Sequence, residues 1–178
     1  MTMTKKIISQ GFTLIEILVV VAIIGLLAAV VVGSLGDSRS SSQYTVAEDT
    51  MLTIVEAVVL TGTPQPLLAL TGHSCSLCTC RDLAGSPDLS EISETSTCIT
   101  RARAAIDAIA NSSIYISDAS NFYRDPWGSP YLIDENEMEF SHDLCRADAL
   151  RSVGADKIYG TSDDIVMSLP FRTNECRR

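Results

Sequence analysis

The sequence predicts an α+β protein in which one long N-terminal helix packs on a small antiparallel β-sheet head. Three features predict this fold. An apolar segment begins at residue 12, an amphipathic helical pattern over 43–60 follows it, and turn and strand patterns fill residues 115–178. A helix laid across a small sheet buries one face of each element in a shared core. A chain of 178 residues has room for one such domain and an anchor.

The apolar segment spans residues 12–32, and Glu16 is the only charged residue among these 21 positions. As a helix the segment is about 32 Å long, which is enough to cross the hydrocarbon core of a bilayer. Lys5 and Lys6 precede it, and the positive-inside rule places that end of the chain in the cytoplasm. We therefore predict a membrane-spanning helix and an exported C-terminal domain.

Glu16 is costly for a simple anchor, because a carboxylate inside hydrocarbon costs about 2.5–3.5 kcal/mol on insertion scales. A small residue at a possible cleavage position, Gly11, lies before the apolar segment rather than after it. Cleavage between Gly11 and Phe12 creates an α-amino group one helical turn from the carboxylate. The amino terminus of a neighbouring subunit can pair with Glu16, so the charge favours assembly. An ordinary single-span anchor is the alternative.

The rest of the chain divides into elements that hydrophobic periodicity and turn residues define. The predicted segments, in order, are a leader peptide over 1–11, the membrane-spanning and assembly half of the helix over 12–35, and an extracellular globular head over 36–178. The head contains an amphipathic helix at 43–60, a cysteine-rich region at 71–98, a helix at 97–110 and a β-region at 115–178.

Within the β-region, Asp125-Pro126-Trp127-Gly128 has the residues of a β-turn, with Asp first, Pro second and Gly fourth. Two short segments rich in strand-forming residues, 131–133 and 138–140, are separated by four polar residues and predict a β-hairpin. The segment 164–169 predicts a further strand. These strands form the predicted antiparallel sheet.

Six cysteines lie in the exported part of the chain, where an oxidising compartment favours disulfides. They are Cys75, Cys78, Cys80, Cys98, Cys145 and Cys176. Their connectivity stays open, since six cysteines allow 15 pairings. A zinc site of Cys75, Cys78 and Cys80, with His73 nearby, is the alternative use of the first cluster.

Charge and motifs exclude two classes of function. The formal net charge of −9 gives an acidic surface that repels phosphate backbones, so we predict no specific nucleic-acid partner. His73 and His142 are the only histidines, and neither belongs to a serine-elbow, phosphate-loop or metalloprotease motif. We therefore predict that the chain is not an enzyme.

The N-terminal segment Gly11-Phe12-Thr13-Leu14-Ile15-Glu16, with Lys5 and Lys6 before it and the apolar run after it, resembles the class III signal of type IV pilins and type II secretion pseudopilins. The resemblance implies that a prepilin peptidase cuts after Gly11, that Phe12 becomes the methylated N-terminus, and that Glu16 serves assembly. It further implies a single-pass precursor in the cytoplasmic (inner) membrane. The mature chain would form a homopolymer through its N-terminal helices on a pilus or secretion assembly platform, giving an extracellular or periplasmic filament.

An acidic loop near the C-terminus concentrates Asp156, Asp163 and Asp164 within nine residues. Hard cations such as calcium take carboxylate and carbonyl oxygens, and three like charges repel without one. A solvated acidic turn is the alternative. The segments Asp125–Tyr131, Gly154–Asp156 and Asp163–Ile165 resemble the C-terminal half of the major pseudopilin of type II secretion, which binds calcium in this loop.

That resemblance implies calcium ligands from the side chains of the three aspartates, and from the carbonyls of Val153 and Thr161. It also favours a Cys145–Cys176 disulfide, because this bridge encloses the loop and anchors the C-terminus, as C-terminal disulfides do in many pilins. The resemblance leaves two functions open. The chain is a main structural subunit of a filament, or a minor, tip-located pilin whose cysteine-rich middle binds a surface or partner.

Overall fold

The computed structural model describes residues 12–61, 64–73 and 75–177, with the backbone alone for 30–38. The predicted leader at 1–11 lies outside the described residues. Contacts divide the chain into two compact units, Met1–Ser41 and Ser42–Arg178. The predicted head boundary at residue 36 therefore falls inside the first unit.

The first helix, α1, comprises Leu14–Val59. It includes both the apolar segment and the amphipathic pattern predicted over 43–60, and it ends one residue before the predicted boundary. In the second unit its buried face consists of Ala47, Met51, Ile54, Ala57 and Val58. Apolar residues at helical spacing form this face, because side chains three or four positions apart lie on one side of a helix.

Three shorter helices follow: α2 (Leu67–Thr71), α3 (Cys78–Arg81) and α4 (Thr97–Ser112). The hydroxyl oxygen of Ser96 caps α4 by accepting a hydrogen bond from the backbone N–H of Ile99 at 3.2 Å. The predicted helix over 97–110 is confirmed and extends two residues further. A 3₁₀ helix at Ala119–Phe122 precedes the sheet.

The sheet has three antiparallel strands, β1 (Leu132–Asp134), β2 (Ala149–Ser152) and β3 (Ile165–Ser168), in the order β1-β2-β3. Ile133 pairs with Leu150, which in turn pairs with Met167. The strand predicted over 164–169 is confirmed as β3. The α+β class, with a helix packed on a small antiparallel sheet, is confirmed as well.

The predicted hairpin between 131–133 and 138–140 is wrong. Residues 137–139 form a turn, and β1 pairs with β2 instead. The physical reason lies in the four polar residues between the two runs. Glu135, Asn136 and Glu137 are buried and hydrogen-bonded to distant segments, so they are not a solvent-facing hairpin loop.

The core of the second unit joins α1, α4 and the sheet. Met51, Ile54 and Val58 of α1 belong to the same buried cluster as Ile106 of α4 and Ile133 of β1. Burial of side chains of this size contributes about 1.5–3 kcal/mol each. This core holds in place the loops that carry the polar features described next.

The predicted turn at Asp125-Pro126-Trp127-Gly128 is confirmed. The N–H of Gly128 donates to the carbonyl oxygen of Asp125 at 2.9 Å. The Asp125 carboxylate accepts from the N–H groups of Trp127 at 3.1 Å and Ser129 at 2.9 Å. Its other oxygen accepts from the hydroxyl of Ser152 on β2 at 2.6 Å, which ties the turn to the sheet.

Candidate functional sites

The N-terminal end of α1 presents the predicted assembly residues. Phe12 is 79% exposed and lies two residues before Leu14, the first residue of α1. The Glu16 carboxylate accepts hydrogen bonds from the N–H of Thr13 at 3.3 Å and from its hydroxyl at 3.2 Å. Thr13 takes the N-cap position and Glu16 the third helical position, and the bond from the N–H of Thr13 to the Glu16 carboxylate is one half of a capping box. Glu16 therefore has a partner in its own chain.

Apart from Glu16, residues 14–29 of α1 carry no polar side chain. Large apolar side chains are at least about half exposed at twelve positions between residues 12 and 27. They are Phe12, Leu14, Ile15, Ile17, Leu18, Val19, Val20, Val21, Ile23, Ile24, Leu26 and Leu27. A helix that is apolar all round is suited to burial against other helices or lipid.

None of the helices, as far as the described residues go, is both long and apolar enough to cross a membrane. The membrane-spanning segment predicted at 12–35 thus stays a prediction.

The six cysteines form three disulfides: Cys75–Cys78, Cys80–Cys98 and Cys145–Cys176. The first two lie within the cysteine-rich region and connect α3 to the loop before it and to α4. The third is the bridge favoured by the resemblance, and it encloses β2, the acidic loop and β3. No cysteine in the chain is left as a free thiol.

The residues that come together as candidate zinc ligands differ from the set that the sequence suggested. Potential ligand atoms of Cys75, Cys78 and Asp134 lie within 4.8 Å of one another. The two sulfur atoms are already bonded to each other, however, and Cys80 is bonded to Cys98. A thiolate is the form that binds zinc, so these cysteines are not ligands in this state.

The acidic loop does not gather its three aspartates into one ligand set. Among the described residues, the carboxylate oxygens of Asp156, Asp163 and Asp164 do not form a group whose members all lie within 4.8 Å of one another. Each carboxylate instead accepts hydrogen bonds from the protein. The predicted carbonyl ligands, Val153 and Thr161, lie in the same loop. Calcium stays an untested prediction.

A cluster of buried acids, which we call the acid clasp and define as Glu135, Glu137 and Asp148, was missed by sequence reasoning. Glu135 accepts from the N–H of Ser76 at 2.8 Å and from its hydroxyl at 2.7 Å. Asp148 accepts from the N–H groups of Asn136 at 2.5 Å and Glu137 at 2.7 Å. The clasp thus joins the cysteine-rich region to the loop after β1.

Glu137 extends the clasp to the C-terminal segment. Its carboxylate accepts from the N–H groups of Arg172 at 2.9 Å and Thr173 at 2.8 Å, and from the Thr173 hydroxyl at 2.7 Å. Buried backbone N–H groups need such partners, since leaving one unsatisfied costs about 1–3 kcal/mol. Nothing in the spacing of these acids along the sequence signals the cluster. The one available clue is that polar residues 134–137 directly follow an apolar strand.

Burial changes the proton affinity of the clasp. Burial, reinforced by the nearby carboxylates of Glu137 and Glu135, raises the pKa of Asp148 from 3.8 to about 6, against the lowering effect of its two backbone hydrogen bonds. Burial also raises the pKa of Glu135, although the hydrogen bonds from Ser76 oppose this. Desolvation penalises the charged form of a carboxyl group, and neighbouring negative charge adds to that penalty.

We therefore expect an unusual pH dependence of stability. A carboxyl group whose folded-state pKa is raised stabilises the fold fully below its unfolded pKa of 3.8, and this stabilisation is lost as pH rises through about 6. A shift of this size corresponds to about 3 kcal/mol. Between pH 4 and pH 7 the free energy of unfolding should therefore fall by most of this amount more in the wild type than in Asp148→Asn. Denaturant titrations monitored by Trp127 fluorescence measure the difference. Parallel pH profiles for the two proteins would contradict the assignment.

Neither histidine lies at these sites. His142 packs its ring 5.8 Å from that of Phe140, and the backbone of His73 bonds to the side chain of Thr71. The expectation that the chain is not an enzyme stays a prediction.

Residues 8–32 match a family model described as the prokaryotic N-terminal methylation motif. The matched range contains Gly11, Phe12 and Glu16, the residues for which cleavage, methylation and assembly were predicted. No match to the chain is found among curated proteins or among solved structures. The chain therefore carries, at its N-terminus, a methylation motif of the kind that is typical of type IV pilins and pseudopilins.

Proposed function

We propose that the mature chain is a structural subunit of a type IV pilus-like or type II secretion pseudopilus filament, and that it polymerises through the N-terminal part of α1. One observation carries this proposal. A methylation motif at residues 8–32 coincides with a helix start whose apolar side chains are exposed on every side. Exposed apolar surface of this extent marks a region that other molecules cover.

The proposed sequence of events begins in the cytoplasmic membrane, where the precursor is held as a single-pass protein by its apolar segment. Prepilin peptidase cleaves after Gly11 and the new N-terminal residue, Phe12, is methylated. A pilus or secretion assembly platform then adds the subunit to a homopolymer in the periplasm or outside the cell. Apolar helices pack side by side in the filament core and replace their contacts with lipid.

Glu16 has two partners in this proposal, one before assembly and one after it. In the single chain its carboxylate accepts from Thr13, which satisfies the helix start. In the filament the positively charged amino terminus of a neighbouring subunit competes for the same carboxylate. An ion pair with a charged amino group in an apolar surrounding is stronger than a hydrogen bond from the uncharged donors of Thr13, because water does not screen the charges.

The composition of the head supports export. Three disulfides in one small domain are typical of an oxidising compartment outside the cytosol. The whole chain has a formal net charge of −9, and nearly all of its acidic residues lie in the head, which favours solubility of this domain while the N-terminal helices associate.

Processing is the direct test of the proposal. Mass spectrometry of filaments sheared from cells should find an N-terminus at Phe12 that carries one methyl group. Gly11→Leu should block cleavage and leave full-length precursor in the membrane fraction, because the peptidase acts after a small residue. Gly25→Ala, a similar change further along the segment, should be processed as the wild type is. Assembled filaments that retain Met1 would refute the proposal.

A second candidate, a minor pilin at the filament tip, is favoured by the cysteine-rich region. Two disulfides, Cys75–Cys78 and Cys80–Cys98, brace this short region and give it a fixed shape suited to binding a surface or partner. Quantifying the chain in sheared surface material separates the candidates. A main subunit dominates that material, whereas a tip subunit is present at a few copies per filament.

A further inference from the structure

The loop between β2 and β3, residues 153–164, is closed tightly on itself. Gly154 adopts a positive φ of 71° at its start. A Cβ atom at this position would lie 2.4 Å from the carbonyl oxygen of Asp163 and 2.6 Å from a carboxylate oxygen of the same residue. Such distances are far below van der Waals contact, so only glycine fits. The two ends of the loop are thereby held in direct contact.

A cation from the protein itself lies at this loop. The guanidinium of Arg151, on β2, forms an ion pair with the Asp164 carboxylate, whose side chain is only 3% exposed. The same carboxylate oxygen accepts from the N–H of Gly160 at 3.0 Å. The Arg151 guanidinium also lies over the Tyr159 ring, 4.9 Å from its centroid, in cation–π geometry. Arg151 thus contacts the loop at two points.

The other two aspartates are held by neutral donors. Asp163 accepts from the Thr161 hydroxyl at 2.6 Å and from the N–H of Asp156 at 3.0 Å. Although partial burial opposes the change, these hydrogen bonds lower the pKa of Asp163. Asp156 accepts from the N–H of Ile158 at 2.9 Å. The loop therefore satisfies all three carboxylates with donors from its own residues and from Arg151.

We propose that Arg151 is the built-in cation that closes this loop, in the place of the calcium ion that the resemblance to the secretion pseudopilin implies. Calcium needs six to eight oxygen ligands at about 2.3–2.6 Å, whereas the carboxylates here are not gathered into one set. A guanidinium paired with Asp164 also repels a divalent cation at the same carboxylate. Because arginine stays protonated at every physiological pH, the loop remains closed without any external ion.

Lys157, a further charged residue of this loop, contacts a different segment of the head. Lys157 pairs with Asp88 at 3.6 Å, and its carbonyl oxygen accepts from the N–H of Leu89 at 2.9 Å. These contacts fasten the loop to the segment before α4. Closure by Arg151 is therefore local to β2 and β3. The inference concerns the head alone and does not depend on the proposed filament function.

Thermal unfolding of the full mature chain in detergent, followed by circular dichroism with and without calcium, tests the proposal. We expect the Tm of the wild type to be the same in millimolar calcium and in a chelator. Arg151→Met keeps the length of the side chain but removes its charge, and should lower the Tm by about 5 °C or more. Calcium should raise the Tm of this variant more than that of the wild type, because its three aspartates then lack a cation.

Arg146→Met is the matched control, since Arg146 is exposed and contacts the ring of Phe140 rather than the loop. Its Tm should equal that of the wild type. If Arg151→Met fails to fold, calcium binding to the wild type by isothermal titration calorimetry decides the matter. Stoichiometric binding, or a wild-type Tm that falls in chelator, would overturn the proposal and restore the calcium site. An Arg151→Met Tm equal to that of the wild type would overturn it as well.

Discussion

Glu16→Ala is expected to abolish filament assembly while leaving the amount of membrane-inserted, processed protein unchanged. Removing the carboxylate lowers the cost of placing this helix in hydrocarbon, so insertion is not impaired. It also removes the only negative charge in residues 12–32 that a neighbouring amino terminus can reach. Electron microscopy and quantification of sheared filaments measure assembly, and membrane fractionation with mass spectrometry measures insertion and processing.

Glu16→Gln separates the two roles of this residue. Glutamine at the third helical position can still accept from Thr13, as glutamate does in the capping box, but it carries no charge. If intersubunit charge pairing is what matters, Glu16→Gln fails to assemble just as Glu16→Ala does. Wild-type filament yield from Glu16→Gln would instead show that Glu16 acts only as a helix cap. Glu48→Ala, an exposed acid on the same helix, serves as the control and should assemble normally.

Glu137→Ala is expected to produce the largest loss of stability in the head. The Glu137 side chain is buried, and its removal leaves the N–H groups of Arg172 and Thr173 without acceptors. At about 1–3 kcal/mol for each unsatisfied buried donor, the two together cost about 2–6 kcal/mol. Small domains have about 5–15 kcal/mol in total, so the variant is close to unfolding at physiological temperature. Chemical denaturation of the mature chain in detergent measures the loss.

Glu139→Ala is the matched control for this experiment, because Glu139 lies in the same turn and is partly exposed. We expect it to change the free energy of unfolding by less than about 0.5 kcal/mol, as most surface substitutions do. Glu137→Gln should fall between the two, since an amide oxygen replaces one acceptor but adds donors that lack partners. Equal stabilities of Glu137→Ala and Glu139→Ala would show that the acid clasp contributes nothing.

Periodic patterns in the sequence were sufficient to predict α1, α4 and the positions of two strands, β1 and β3. The buried faces of α1 and α4, which include Met51 and Ile106, consist of apolar residues at helical spacing. The N-terminal motif was equally accessible, because its signal is local and depends on no tertiary contact. Local chemistry also sufficed for the turn at Asp125, where proline and glycine restrict the backbone.

Tertiary contacts explain what the sequence could not predict. The hairpin was misassigned because Glu135 and Glu137 have the composition of a solvent-exposed loop, while their burial depends on donors 59 and 35 residues away. Strand β2 was missed for a related reason. The charged Arg151 interrupts the apolar pattern of this strand, and its charge is compensated only in the folded protein, by the ion pair with Asp164. The acidic loop was recognised, but its counter-charge was not, because Arg151 precedes the loop on a strand that had not been predicted.

The Cys145–Cys176 disulfide has a mechanical consequence for a filament of the proposed kind. In such a filament, tension acts on each head through α1. A domain that is pulled from this end unfolds by extending its backbone. The bridge joins residues separated by 31 positions, and the Cys80–Cys98 bridge joins residues separated by 18. An extended chain spans about 3.3–3.6 Å per residue, so the larger ring withholds about 100–110 Å of contour length and the smaller one about 60 Å. Together the two bridges withhold about 160–170 Å of contour length from the head. A filament under tension therefore lengthens less, and transmits more of the force, than one whose heads lack these bridges.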